Sequence, residues 1–305
     1  MIYERGIMDQ SIRRRKERKK NLMAWALVMP ALFFMVAFTV FPIMRSLYLS
    51  LCKYKMGMQT PQFIGFENYG KLFTSSLFWK VMKNTIFFAL ITVIPSMAIG
   101  LGLAILVNRK GRSIGFIRTA FFYPVVMPMI AIASVWMFIY MARNGLFDQL
   151  LTSWGLKPMD VLSHKETVLP ALAVMYIWKE AGYLMVFFLS GIQNISPDIM
   201  EAAMIDGANG RDIFRKITFP LLAPTMLFVS TIAFTNSFKL VDHIVIMTEG
   251  APNNASTLLL YYIYQQGFTN FNYGLASALT VIMLVLLLVV SLPRFISQDK
   301  KIQYN

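Results

Sequence analysis

Residues 84–108 read NTIFFALITVIPSMAIGLGLAILVN and contain no Asp, Glu, Lys or Arg. A helix needs ~20 apolar residues to cross ~30 Å of hydrocarbon, and this run exceeds that. Its apolar residues are continuous, unlike the ~10-residue alternating strands of a membrane barrel. Every backbone amide in lipid must be paired, and a lone segment achieves this only as a helix. Working outward, residues 21–44, 119–142, 217–238 and 250–293 are equally free of charge, with 275–293 the most apolar part of the last. A further run at 168–190 is interrupted only by Lys179-Glu180. The pattern predicts an all-α polytopic membrane protein with six transmembrane helices, at 22–44, 84–107, 119–141, 168–190, 219–240 and 275–293. Composition agrees, because 57% of the chain is hydrophobic and 14% charged, where soluble domains carry about 25% charged residues.

Basic residues set the expected orientation. With a cytoplasmic N-terminus, the inner segments 1–21, 108–118, 191–218 and 294–305 hold 18 Lys plus Arg, and the outer segments 45–83, 142–167 and 241–274 hold 9. The excess marks the cytoplasmic side, so both termini are expected inside. The run Arg13-Arg14-Arg15-Lys16 with Arg18-Lys19-Lys20 abuts the first span, where it anchors a helix end and favours anionic lipid. The net charge of +14 therefore reports topology rather than a nucleic-acid partner. The expected organisation is a basic segment 1–21, one transmembrane domain 22–296 with a cytoplasmic loop 191–218, and a cytoplasmic tail 297–305.

Several features point away from chemistry in this chain. The first apolar run exceeds the ~7–15-residue core of a signal peptide, and the bulky Phe41-Pro42-Ile43-Met44-Arg45 offers no small-x-small cleavage site, so it is expected to be retained. Cys52 is the only cysteine, which excludes an intramolecular disulfide and a Cys/His metal cluster. His164 and His243 stand alone near the predicted outer face. The Asn-x-Ser sequons at Asn194 and Asn254 are short enough to arise by chance. Gly65-Phe66-Glu67-Asn68-Tyr69-Gly70-Lys71 has the spacing of a phosphate-binding loop, but Leu72 stands where Ser or Thr would hold magnesium. A folded outer-face turn is the better reading. No nucleophile–base pair is apparent, so the chain is expected to be no enzyme, with no cofactor of its own.

The loop 191–218 is ordered by its turn chemistry. Ser196-Pro197-Asp198 reads as a hydroxyl cap, a first-turn proline and an acid near the helix dipole. Gly207 can take the left-handed conformation that ends such a helix. Asn209 with Asp212 resembles a second cap, and the helix after it runs to Pro220. Ile199, Met200, Ala203 and Met204 share one face of the first helix. Its poverty in Lys and Arg argues against a lipid-surface helix, so this face is expected to dock into a groove of another protein.

This loop also carries a resemblance. Glu201-Ala202-Ala203, three residues, Gly207, nine residues and Ile217-Thr218-Phe219-Pro220 resemble the cytoplasmic loop of permease subunits of ATP-binding-cassette (ABC) importers. The family pattern ends Ile-x-Leu-Pro, and Phe219 keeps that position apolar. The outer run Phe63-Ile64-Gly65-Phe66-Glu67-Asn68-Tyr69, the fourth-span stretch from Trp178 to Tyr183 and the segment Met247–Pro252 resemble the sugar-uptake members, across about residues 20–295. The resemblance implies a type I importer architecture and coupling to a cytoplasmic ABC ATPase dimer through 196–220, with Glu201, Ala202, Ala203, Asp206 and Gly207 at the contact. ATP would be used by that ATPase. It further implies a second, different permease chain and an extracytoplasmic solute-binding protein.

Charges inside spans are costly and face a protein interior or water. Lys179 and Glu180 therefore mark a candidate path, with Tyr183 one turn on. Adjacent residues point about 100° apart on a helix, so one of the pair is expected to face the path and the other a partner helix. Asn236, Lys239 and Asp242 form a stripe at the outer end of the fifth span. Trp178 and Tyr183 could stack on a sugar ring. Two lysines and two acids nearly balance, which fits a neutral sugar or polyol better than an anion, with a glycerol phosphate-type solute as the alternative. A self-contained secondary transporter is the rival class, but six spans are few for one and no inverted repeat is visible.

Overall fold

The charge-free runs become helices, and two of them do not stay straight. The computed structural model describes residues 20–109 and 111–301. Four helices are long and apolar enough to cross a bilayer: Lys20–Ser50, Ser76–Val107, Val168–Gln193 and Tyr273–Leu292, the last continuing to Lys301. Two bent pairs supply the third and fifth spans, Ser113–Val126 with Met129–Ile139 at 100° and Gly210–Leu221 with Ala223–Met247 at 66°. The spans expected at 119–141 and 219–240, whose prolines at 124, 128, 220 and 224 suggest kinks, are thus broken helices. The basic residues 1–19 and the tail residues 302–305 lie outside the described residues.

Prolines account for both breaks. Met127 precedes Pro128 and takes an extended ψ of 138°, because a proline ring excludes the helical region for the residue before it. In the fifth span Pro224 has no N–H for the carbonyl of Pro220, which weakens the helix at the buried Leu222.

The fourth span is the centre of the bundle. In its most apolar stretch 61% is buried, against 0% in the first span, which sits at the edge. The second and fourth spans pack against each other more extensively than any other pair, around Phe88, Leu184, Met185 and Phe188. Small residues let backbones approach in a membrane, where dispersion replaces the hydrophobic drive. A Cβ at Gly182 would run into the carbonyl of Phe121 on the third span. Gly182→Leu is accordingly expected to force the third span off the fourth, at or above the ~1–3 kcal/mol typical of overpacking. Gly102→Leu, where a Cβ meets nothing within 4 Å, is the control. Size-exclusion recovery of folded protein should fall only for Gly182→Leu.

On the predicted outer side the Phe63–Tyr69 run folds as a turn. Cys52–Lys53 pairs antiparallel with Gln62–Phe63, and a short helix follows at Glu67–Phe73. The Asn68 amide donates to the carbonyls of Ser50 and Cys52, both at 2.9 Å. Lys71 is engaged with Glu67 at 2.6 Å on the surface.

Candidate functional site

The third-span break opens onto a space beside the outer end of the fifth span. A cavity of about 220 Å³ lies between Lys179 and Glu180 of the fourth span, Met129 beside the third-span break, and the chain from Asn236 to Asp242. Irregular backbone at membrane depth is tolerated where it lines a cavity or is buried in protein, and both conditions hold here. Bending frees the Met127 carbonyl from the helical ladder, and the Lys179 ammonium donates to it at 2.7 Å. Glu180 is 6% exposed, and the Asn236 amide donates to its Oε1 at 3.1 Å. Lys239 and Asp242 are exposed at the rim.

Four of these expectations meet the geometry unevenly. Lys179, Glu180, Asn236, Lys239 and Asp242 do line one cavity. The expectation that Lys179 and Glu180 would face different surroundings is corrected: the flexible lysine stem swings its head across to Met127, so both reach the same space. Trp178 and Tyr183 do not line it. Trp178 packs on Trp136 at 5.9 Å, and Tyr183 meets Phe187 edge-on at 5.1 Å. Tyr176 was missed. It lines the cavity one turn before Glu180, and its hydroxyl is buried without a hydrogen-bond partner among the described residues. Its three- and four-residue spacing from Lys179 and Glu180 is the signal that marks it. His243 is fully buried rather than superficial, with its ring stacked on Phe88 at 6.0 Å. Among the described residues no group of three or more His, Cys, Asp or Glu is placed to hold a metal.

The loop 191–218 forms a helix at Pro197–Ile205 and leads into a second element at Gly210–Leu221. The turn between them is a Schellman motif. Ala208 N–H donates to the Ala203 carbonyl at 2.9 Å and Gly207 N–H to that of Met204 at 3.1 Å, with Gly207 at φ +82°. Asn209 caps the second element, its Oδ1 accepting from the amides of Arg211 and Asp212 at 3.0 Å each. Beyond the cap, the Lys216 ammonium 2.9 Å away holds the Asp212 carboxyl below the usual range by hydrogen bonding.

Two expectations about the loop are corrected. Ser196 makes no cap bond to the backbone, because its hydroxyl turns to the Asp198 carboxylate at 3.3 Å. Of the face Ile199, Met200, Ala203 and Met204, Ala203 alone is buried, 8% exposed and packed inward, whereas Ile199 and Met204 are 44% and 57% exposed and Ile205 beside them 86%. Glu201, Ala202 and Asp206 stand on the open side with them. A cleft of about 480 Å³ lies beside this helix, bounded by Ile199, by Gly191 to Ser196 at the exit of the fourth span, and by Leu221 and Pro224 at the bend of the fifth.

Residues 96–299 match the protein family described as the inner membrane component of binding-protein-dependent transport systems. The chain belongs to that family. This inner-membrane component is 31% identical over 288 residues to a probable starch degradation products transport system permease protein, AmyD, of Thermoanaerobacterium thermosulfurigenes, covering 93% of this chain and 97% of that one. It is also 31% identical over 289 residues to the sn-glycerol-3-phosphate transport system permease protein UgpA of Agrobacterium fabrum, again over 93% and 97%. In fold it is similar to a chain of a bacterial ABC transporter involved in alginate import, with a TM-score of 0.83, 23% identity, and 95% and 100% coverage. The permease is thus an all-α, multi-pass membrane protein of importer type, as the spans and the loop implied.

Proposed function

We propose that this permease forms half of the translocation path of an ATP-driven importer for a neutral sugar or related polyol, and is driven by a cytoplasmic ABC ATPase dimer. The observation that carries the reading is the loop: a Gly207 turn presents Glu201, Ala202, Met204 and Ile205 outward from the membrane domain, with nothing among the described residues covering them. An ATPase groove is the occupant that accommodates apolar residues beside the acids Glu201 and Asp206, with Glu201 supplying the polar contact. Movement of this helix reaches the spans through the cleft it shares with the Leu222 hinge, as a rigid-body coupling of two sites. A second, different permease chain completes the path, and an extracytoplasmic binding protein delivers the solute, as in the alginate transporter described in complex with a pentasaccharide-bound periplasmic protein.

Charge favours the neutral solute. The cavity holds two cationic and two acidic side chains, and Lys179 and Glu180 already bond within the chain. The similarity to UgpA keeps a glycerol phosphate as the second reading. Uptake by membrane vesicles containing the assembled importer distinguishes them. A neutral oligosaccharide should compete with the transported solute and sn-glycerol 3-phosphate should not. This chain expressed alone should move neither, and transport by it alone would restore the secondary-transporter reading.

Orientation has its own test. Reporter fusions are expected to place residue 150 outside and residue 205 inside, from the basic asymmetry. The opposite result at either position would overturn the topology.

A further inference from the structure

We propose that the edge of this permease holds one anionic glycerophospholipid, seated between the first and last spans with its phosphate at Arg45. Two cavities lie there, one above the other. The first, of about 550 Å³, is lined by Arg45, Ser46, Tyr54, Tyr273 and Ser277 among others. The second, of about 140 Å³, is bounded by Pro42, Ile43, Leu47, Val281 and Leu284. Ser46 and Thr280 line both, so the two are continuous. The arrangement is polar and cationic at one end and apolar at the other, which is the pattern of a lipid headgroup and its acyl chain.

The depth fits. From Leu22, the first apolar residue after Lys20, to Arg45 the helix rises about 34 Å at ~1.5 Å per residue. That carries Arg45 just past ~30 Å of hydrocarbon, to the level of lipid phosphates. The apolar cavity lies deeper on both helices, since the first span ascends and the last descends. Placing this end in the outer leaflet rests on the orientation proposed above; the site itself does not.

Charge complementarity identifies the occupant. Among the described residues the Arg45 guanidinium has no ion pair or hydrogen bond, and neither do the hydroxyls of Ser46 and Ser277. At this level an arginine side chain reaches the lipid headgroups. A phosphodiester offers acceptor oxygens in the geometry that a guanidinium matches. The pocket is also built. Its roof is fixed by Gly274 N–H donating to the Tyr54 carbonyl at 3.0 Å and by Met56 N–H donating to that of Phe271 at 3.0 Å. The Tyr54 and Tyr273 rings sit 5.4 Å apart.

The test is native mass spectrometry of the assembled importer after exchange into phosphatidylglycerol or phosphatidylcholine micelles. One phosphatidylglycerol per copy of this chain should survive detergent washing. Retention should fall roughly fivefold in Arg45→Gln, the weight of one basic side chain at an anionic surface, and recover in Arg45→Lys. Leu284→Trp, which fills the apolar half, should lower retention with Arg45 intact. Equal retention in the wild type, Arg45→Gln and Leu284→Trp overturns the proposal. So does competition by inorganic phosphate alone, which would make the site an anion pocket. A photocross-link from residue 277 to a companion permease would show that protein rather than lipid covers this face.

Discussion

A Gly207→Val permease is expected to insert all its spans and to lose its ATPase. Nothing lies within 4 Å of a Cβ at this position, so steric collision is not the cause. The cause is the backbone: at φ +82° an L-residue costs roughly 1–2 kcal/mol, and a β-branched one is worse placed still. About 1.4 kcal/mol is a factor of ten in a population. Because the Schellman bonds from Ala208 and Gly207 depend on that φ, the exposed face of the preceding helix would be mis-set relative to its cap. ATPase recovered with the permease, and uptake, should each drop about tenfold or more. Gly207→Asn is the discriminating variant, since Asn tolerates this region and should keep most of both. If Gly207→Val retains the ATPase and transports normally, the loop is not the coupling element. Ala202→Trp, on the open side of the helix, should also release the ATPase, whereas Ala203→Trp should damage packing within the permease itself.

Lys179→Ala is expected to have the next largest effect. The lysine satisfies a carbonyl that the 100° bend of the third span frees, that of Met127. A hydrogen bond to a charged group contributes about 1.5–3 kcal/mol, and the substitution also removes a positive charge near Glu180, which accepts from the neutral Asn236 amide. Uptake should fall tenfold or more while the amount of assembled complex, read by immunoblot, stays near normal. Lys179→Arg should keep part of the activity, since it retains charge and donors. Normal uptake by Lys179→Ala would reduce the bond to a structural detail and remove the cavity from the path.

What the sequence reveals here divides by range. Charge-free runs report lipid directly, so the spans were legible. The Gly207 turn and the Asn209 cap were legible because each is settled within five residues. The breaks were less so: Pro124, Pro128, Pro220 and Pro224 announce weakened helices, but a proline in a membrane helix does not say how far the chain will bend. Ala203 shows the limit most clearly. Its helix has apolar residues nearly all round, at Ile199, Met200, Met204 and Ile205, so periodicity cannot choose the buried side. The fourth span behaved the same way. Trp178 and Tyr183 found aromatic neighbours on the third span and on their own helix, and only the packed bundle decides that.

Cys52 offers a practical return from the outer turn. It is the sole cysteine of the chain, and it is fully buried in the short strand pair, with Asn68 bonded to its carbonyl and the last span close beside Gly274. The unmodified permease is therefore a nearly silent background for thiol reagents. A cysteine introduced at residue 205, 178 or 242 would carry the whole labelling signal, and its rate could be followed with and without nucleotide on the ATPase. Slow residual labelling of Cys52 itself would then report how often the last span parts from the outer turn.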